Sequence, residues 1–318
     1  MKRSVIFTAA AIVCVVALII GTGLLILREL GRNGQSLFDR DAGSYTVGGT
    51  ELDAKVENLD IDWIDGSVTI AYHSGSTVEI AEMASRTLSE DETLRWTLDG
   101  TTLRIRYAKP RMTSLQSLDK KLTVTLPEGI ALGAVSIDAT SGDVIVPALR
   151  TDAFTADLTS GDLRASLTSP RTVWVSATSG NVELEQTGAA DSVRLEGTSG
   201  HLRASLGAVG TLHASSTSGG ISVGAASVEK AEFENTSGGV TAALGAFREL
   251  QVETTSGDVT VAVPSTPGFR AEIDTTSGGF DSDIALRHSG KYYSCGDESA
   301  AAEIETTSGN VHLTEWNG

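Results

Sequence analysis

Val135-Ser-Ile-Asp-Ala-Thr-Ser-Gly-Asp-Val-Ile-Val146 is the stretch that decides the fold. Apolar residues stand seven, five and three places before Gly142 (Val135, Ile137, Ala139) and two and four places after it (Val144, Val146). Alternation of that kind describes two short strands, each turning one face inward. Between them Thr140-Ser-Gly-Asp143 has corner chemistry: glycine adopts positive φ cheaply, and short polar side chains bond nearby backbone groups.

The corner recurs. Thr-Ser-Gly appears nine times, ending at Gly142, Gly161, Gly180, Gly200, Gly219, Gly238, Gly257, Gly278 and Gly309, with steps of 19, 19, 20, 19, 19, 19, 21 and 31 residues. The flanking register recurs with it, as in Phe154, Ala156, Leu158 and Leu163, then Val173, Val175, Ala177 and Val182. A fixed period near 20 residues marks stacked repeats, in which no unit buries its apolar face alone. The expected fold class is therefore all-β: a parallel β-solenoid, β-helix-like, of 19–20-residue coils stacked in register.

Outward from the repeats, the chain reads in five segments. Residues 1–4 form a cytoplasmic tail carrying Lys2 and Arg3, and residues 5–27 are uncharged. As a helix the latter would be about 35 Å long, enough for a hydrocarbon core of about 30 Å. It reads as a transmembrane signal anchor rather than a cleaved leader, whose apolar core is shorter and ends at a small-residue site. The basic tail ahead of it places the C-terminal domain outside the cytoplasmic membrane. Residues 28–50 are a Gly-rich linker, 51–133 are divergent N-terminal β-coils that cap the stack, and 134–318 are the solenoid, with an insertion at 281–302. Within 51–133, period-2 alternation surrounds Asp65-Gly66 and Asp99-Gly100, which signals strands. An atypical first segment is what a stack needs to cover its open edge. Trp316 is expected to close the last coil.

A net charge of −17 argues against nucleic acid and anionic lipid as partners, since both require clustered Lys and Arg. Aromatic residues are 5% of the chain, consistent with thin coils built on small side chains. Cys14 and Cys295 lie in unrelated surroundings and imply no disulfide framework.

In an in-register stack the nine threonines from Thr140 to Thr307 form one column, with hydroxyls bonding up and down it. Corner satisfaction accounts for such a ridge more simply than an ice-, glycan- or polymer-binding face does. The residues after glycine form another column: Asp143, Asp162, Asn181, His201, Gly220, Gly239, Asp258, Gly279 and Asn310. It lacks the dense carboxylates of calcium-binding β-rolls, so no metal site is expected. No metalloprotease, Walker, nucleophile-elbow or dinucleotide motif occurs, and the five histidines are scattered. Repeated Ser next to Gly without a dedicated base argues for structure. The expectation is a non-enzyme with no catalytic residue and no cofactor.

Two places break the repetition and are the candidate binding surfaces. One is a basic island, with Arg111, Lys120 and Lys121; the other is the insertion, with Tyr292 and Tyr293. A charge run is ordinarily a solvated loop, and an insertion in the last coils is ordinarily an end-capping hairpin.

The uncharged N-terminal segment, the run Leu59-Asp-Ile-Asp-Trp-Ile-Asp-Gly-Ser-Val68, the strand Leu122-Thr-Val-Thr-Leu-Pro127 and the Thr-Ser-Gly-Asp repeats together resemble a bacterial family. It is the "putative adhesin" domain-of-unknown-function family with tandem β-strand repeats, and the resemblance covers residues 55–316. The resemblance implies a β-solenoid-like fold and a cell-envelope setting, and it brings no catalytic residues. The expected function is a membrane-anchored, extracytoplasmic binding or scaffold module with a glycan or protein partner in the envelope. A regulatory or sensor subunit of an envelope-stress system is the alternative, and a polysaccharide-active solenoid enzyme a third.

Overall fold

The computed structural model describes residues 45–108 and 118–316. The expected tail, membrane span and most of the linker lie outside the described residues, as does Arg111. No helix of the described residues is long and apolar enough to cross a membrane.

The described chain is all-β, and its repeats stack as parallel, in-register coils. Strands ahead of the corner form one ladder, in which Val135, Phe154, Val173, Val193 and Leu212 are successive neighbours. Strands after the corner form a second, through Val144, Leu163, Val182, Leu202, Ile221, Val240 and Val259. The alternate residues of both ladders meet in one continuous core, including Ile137, Phe154, Leu195, Phe233 and Val261, each at most 1% exposed. Burying these side chains is the main stabilising term, and the coil spacing of about 4.8 Å supplies a ladder hydrogen bond at nearly every residue.

Backbone, not hydroxyl columns, closes the corners. The amide of Gly142 donates to the Ser160 carbonyl (3.0 Å), and that of Val144 to the Asp162 carbonyl (2.9 Å); later corners repeat both bonds. The corner glycines pass so close to one another that substitution has no room. Gly200 has φ +118°, and a Cβ there would lie 2.1 Å from the Gly180 carbonyl oxygen. Where the residue after the glycine has an acceptor side chain it adds a third bond: Asp143 Oδ1 accepts from the Asp162 amide (2.9 Å), Asp162 Oδ1 from Asn181 (2.8 Å), and Asn181 Oδ1 from His201 (3.1 Å). His201 Nδ1 continues the series by accepting from the Gly220 amide (3.2 Å). Asp258 and Asn310 make the same bond in the later coils (2.8 and 3.0 Å), whereas the glycines at 220, 239 and 279 offer no side-chain acceptor.

Both ends of the stack depart from chain order. At the C-terminal end, Val252 neighbours Ile304, and Ile304 neighbours Ile273 on its other side. The coil built on Gly309 is therefore inserted between those built on Gly257 and Gly278, although it comes last in sequence. To achieve this the chain skips a slot after Val263, lays down Phe269–Ser282, turns through a hairpin (Arg287–Ser289 and Tyr292–Ser294) and returns as Ala300–Ser308. Trp316 consequently does not close the stack; its amide donates to the Val263 carbonyl (3.1 Å), and its ring lies beside Gly245.

The N-terminal end mirrors this. Leu59 neighbours Val135 on one side and Leu103 on the other, and Val68 neighbours both Val144 and Leu122. The coil Asn58–His73 thus sits inside the one formed by Thr102–Arg106 and Lys121–Pro127. Asp65-Gly66 is a corner of the same column as the repeats, with the Gly66 carbonyl facing Gly142. Asp99-Gly100, by contrast, closes an antiparallel hairpin. Antiparallel strands Arg95–Asp99 and Val78–Met83 cover the outer edges of that terminal coil, so its backbone groups are paired rather than presented to other chains.

Candidate functional site

The structure separates the candidate surface residues. Lys120 does not belong to a solvated basic patch: it is fully buried. It occupies the corner position outside Gly66, and its Nζ forms an ion pair with Glu82 (2.8 Å) and donates to the carbonyls of Glu92 (2.7 Å) and Tyr107. The rings of Tyr107 and Trp63 lie 4.2 and 5.1 Å from the ammonium. Burial pulls its pKa below the usual lysine value, against the attraction of Glu82 and Glu92. An ammonium with this many partners is the plug of the capping coil, and sequence spacing alone does not distinguish it from exposed Lys121 next door.

Tyr292 and Tyr293 lie on the hairpin that covers the open edge of the coil Phe269–Ser282, pairing with Glu272 and Ala271. Both rings are used internally. The Arg270 guanidinium stands 3.5 Å over the ring of Tyr292, and the ring of Tyr293 stacks on His288 (4.6 Å, 8°) and tilts against Phe280 (4.6 Å).

The most distinctive surface belongs to the repeats themselves. On the outward face of the pre-corner ladder, the position four before glycine runs Asp62, Asp138, Asp157, Ser176, Glu196, Ser215, Glu234, Glu253, Glu305 and Asp274 in stack order. The position six before glycine adds Asp60, Glu232, Glu303 and Glu272 on the same face. Parallel in-register pairing puts like side chains side by side about 4.8 Å apart, where like charges repel. Acid groups respond by holding their protons more tightly. Asp138 is pushed up to about 6 by partial desolvation against its neighbouring strands and then by Asp62, Asp157 and Asp60. Asp157 and Glu253 are raised first by desolvation, with Glu196 adding to the first and Glu234 and Glu232 to the second. Glu305 is raised by desolvation and then by Glu303, Glu253, Asp274 and Glu272.

Basic residues relieve the two ends of this face. Arg106 grips Asp60 with two nitrogens (3.1 and 3.0 Å), and Lys291 meets Glu272 (2.6 Å). Toward the middle, Arg194 pairs with Glu196, and Nδ1 of His213 stands 3.6 Å from Glu232. This face was readable as polar alternates, but its acidity emerges only when the units are laid side by side.

A family model covers residues 56–314, nearly all of the described stack. The chain belongs to the Toastrack DUF4097 family. No curated protein matches it. Among solved structures, a "putative adhesin" from Parabacteroides merdae has 11% identity and a TM-score of 0.50, over 85% of this chain and 96% of that one. A "putative lipid binding protein" from Parabacteroides distasonis has 14% identity and a TM-score of 0.48, over 83% and 95%. A "putative adhesin" from Bacteroides fragilis has 15% identity and a TM-score of 0.40, over 85% and 97%. At 11% identity the likeness to the Parabacteroides merdae structure concerns the fold alone.

Proposed function

We propose that this Toastrack protein is a membrane-anchored, extracytoplasmic, non-catalytic binding module of the cell envelope, and that its acidic face receives a cationic segment of a protein partner. The observation that carries the reading is the in-register column of carboxylates on one rigid face. Side-by-side carboxylates cost stability in the free protein, and a partner's Lys and Arg residues would offset that cost on binding. The same charge disfavours nucleic acid and anionic headgroups. The anchor reading rests on the uncharged run 5–27 behind Lys2 and Arg3.

The test uses the full-length chain in nanodiscs and two probes, polylysine and polyglutamate. Polylysine should bind, and the triple variant Glu234→Gln, Glu253→Gln, Glu305→Gln should weaken it about tenfold. A control that loses the same charge in the N-terminal cap, Glu90→Gln, Asp91→Asn, Glu128→Gln, should bind as the parent does. Equal losses in both variants would reduce the effect to net charge and sink the face. Protease added to intact spheroplasts should degrade the repeat domain; protection would place it on the cytoplasmic side instead.

A further inference from the structure

One coil departs from the others on the acidic face. At the position six before glycine the units from Gly180 to the coil of Gly309 carry Trp174, Arg194, His213, Glu232, Gln251 and Glu303 in stack order, and His213 is the imidazole among them. In-register pairing sets His213 directly beside Glu232, and Glu234 follows two residues along the same strand face. One donor atom from each of His213, Glu232 and Glu234 lies within 4.8 Å of the other two. We propose that these three residues bind a divalent transition-metal ion, Zn²⁺ being the best match.

Chemistry and geometry both support the assignment. A mixed set of one imidazole nitrogen and two carboxylate oxygens suits Zn²⁺ and its first-row neighbours, whereas Ca²⁺ and Mg²⁺ prefer oxygen alone. Around zinc, bonds of about 2.1 Å place tetrahedral ligand atoms about 3.4 Å apart. Nδ1 of His213 and the nearest Glu232 oxygen are already 3.6 Å apart. His213 and Glu232 are both partly buried, with side chains 16% and 33% exposed, so little conformational freedom remains to be lost on binding.

The surrounding charges agree. Arg194, the register neighbour of His213 on its other side, is engaged by Glu196 and leaves the imidazole to the carboxylates. Glu253 is the register neighbour of Glu234 on the next strand, so a further carboxylate borders the three ligands. Lys230, the next outward residue along the strand from Glu232, has Glu249 as its register neighbour. The strand pairing fixes the backbone on which the three ligands stand, and coordination positions on the outer side remain for water or a partner's donor. The site lies on the face described above but does not depend on which partner that face meets, because metal binding is read on the isolated chain.

The full-length chain in detergent, stripped with chelator, is titrated calorimetrically with Zn²⁺ and separately with Ca²⁺. About one equivalent of Zn²⁺ should bind, with Ca²⁺ at least about tenfold weaker. His213→Ala and Glu232→Gln should each weaken Zn²⁺ at least about tenfold, while His201→Ala, which removes only a corner acceptor, should retain it. Far-UV circular dichroism checks that each variant keeps the parent's fold. In the unmodified chain, histidine ring NMR signals should show one ring shifting on Zn²⁺ addition, a readout that does not depend on any variant folding. No stoichiometric binding, binding that survives His213→Ala, or a preference for Ca²⁺ would each overturn the site.

Discussion

The ammonium of Lys120 and the carboxylate of Glu82 form an ion pair at 2.8 Å with side chains 0% and 8% exposed. It lies beneath the strands that cover the first coil of the stack. Removing one partner of such a pair strands a buried charge, at a cost of about 3–5 kcal/mol. Lys120→Met should therefore lower the urea midpoint sharply. Adding Glu82→Gln should restore part of the loss, because it removes the stranded charge while keeping an acceptor for the Leu94 amide, which donates to Glu82 Oε1 (2.8 Å). A neutral Lys120→Met would show that the plug does not hold the cap.

The corner glycines, with φ of +118° or more and a neighbouring carbonyl in the way, should tolerate substitution far less than an open loop glycine in the ordinary left-handed region. Gly290, at φ +65°, has nothing within 4 Å of an added Cβ, so Gly290→Ala should cost about 1–2 kcal/mol for the backbone alone. Gly200→Ala adds a collision with the Gly180 carbonyl and should cost about 3 kcal/mol or more. Paired denaturation curves would measure the difference, and equal costs would mean that the stack can open at its corners.

The sign of the pH dependence follows from Asp138, whose carboxyl is raised from 3.8 to about 6 in the folded chain. The native state then binds more protons than the unfolded one between those values, so this group's contribution is fully present below 3.8 and is lost as pH rises through about 6. Asp138→Asn should raise the unfolding free energy at pH 7.5 by about 1 kcal/mol once solvent screening is allowed for, and leave it nearly unchanged at pH 4. Stabilisation that is the same at both pH values would exclude desolvation of the charged carboxyl, and repulsion from Asp62 and Asp157, as its source.

Truncation should be tolerated out of order. A stop after Ser299 removes the coil between those of Gly257 and Gly278, leaving Phe269–Ser282 without its ladder neighbour. Proteases should then cut the 264–299 region rapidly. A stop after Pro264, although it removes more, ends the stack on the intact coil of Gly257 and should leave a more resistant core. Limited proteolysis followed by mass spectrometry compares the two fragments; greater resistance of the longer one would contradict the inverted order.

What could be read in the sequence was whatever the repeat enforces locally. The spacing around Gly142 specified strands, inward faces, corner and parallel stacking because each unit carries the same instructions. Gly66 carried them too: Leu59, Ile61 and Trp63 precede it by seven, five and three places, and Val68 and Ile70 follow by two and four. Its lack of Thr-Ser hid that register. The inversion at each end was not legible, since which coil neighbours which is decided by long-range pairing and not by any local pattern. Lys120 looks exposed in the sequence because its partners, Glu82, Glu92 and Tyr107, come from three other segments. His213 looked scattered until pairing set it beside Glu232, whose position on the next unit has no motif to announce it.

The interlocked ends have a consequence for how such a chain can change length. Both terminal coils are tied by crossings of the chain, so units cannot simply be appended at either terminus. Copies can be gained or lost between Gly142 and Gly257, where each coil follows its predecessor and meets only its two neighbours. Duplication of one such unit would carry its own corner and core residues and, for the units of Asp157, Glu196, Glu234 or Glu253, its outward carboxylate, lengthening the face by about 4.8 Å. The ends act as fixed plates, and the span between them is the adjustable dimension on which unequal recombination can act.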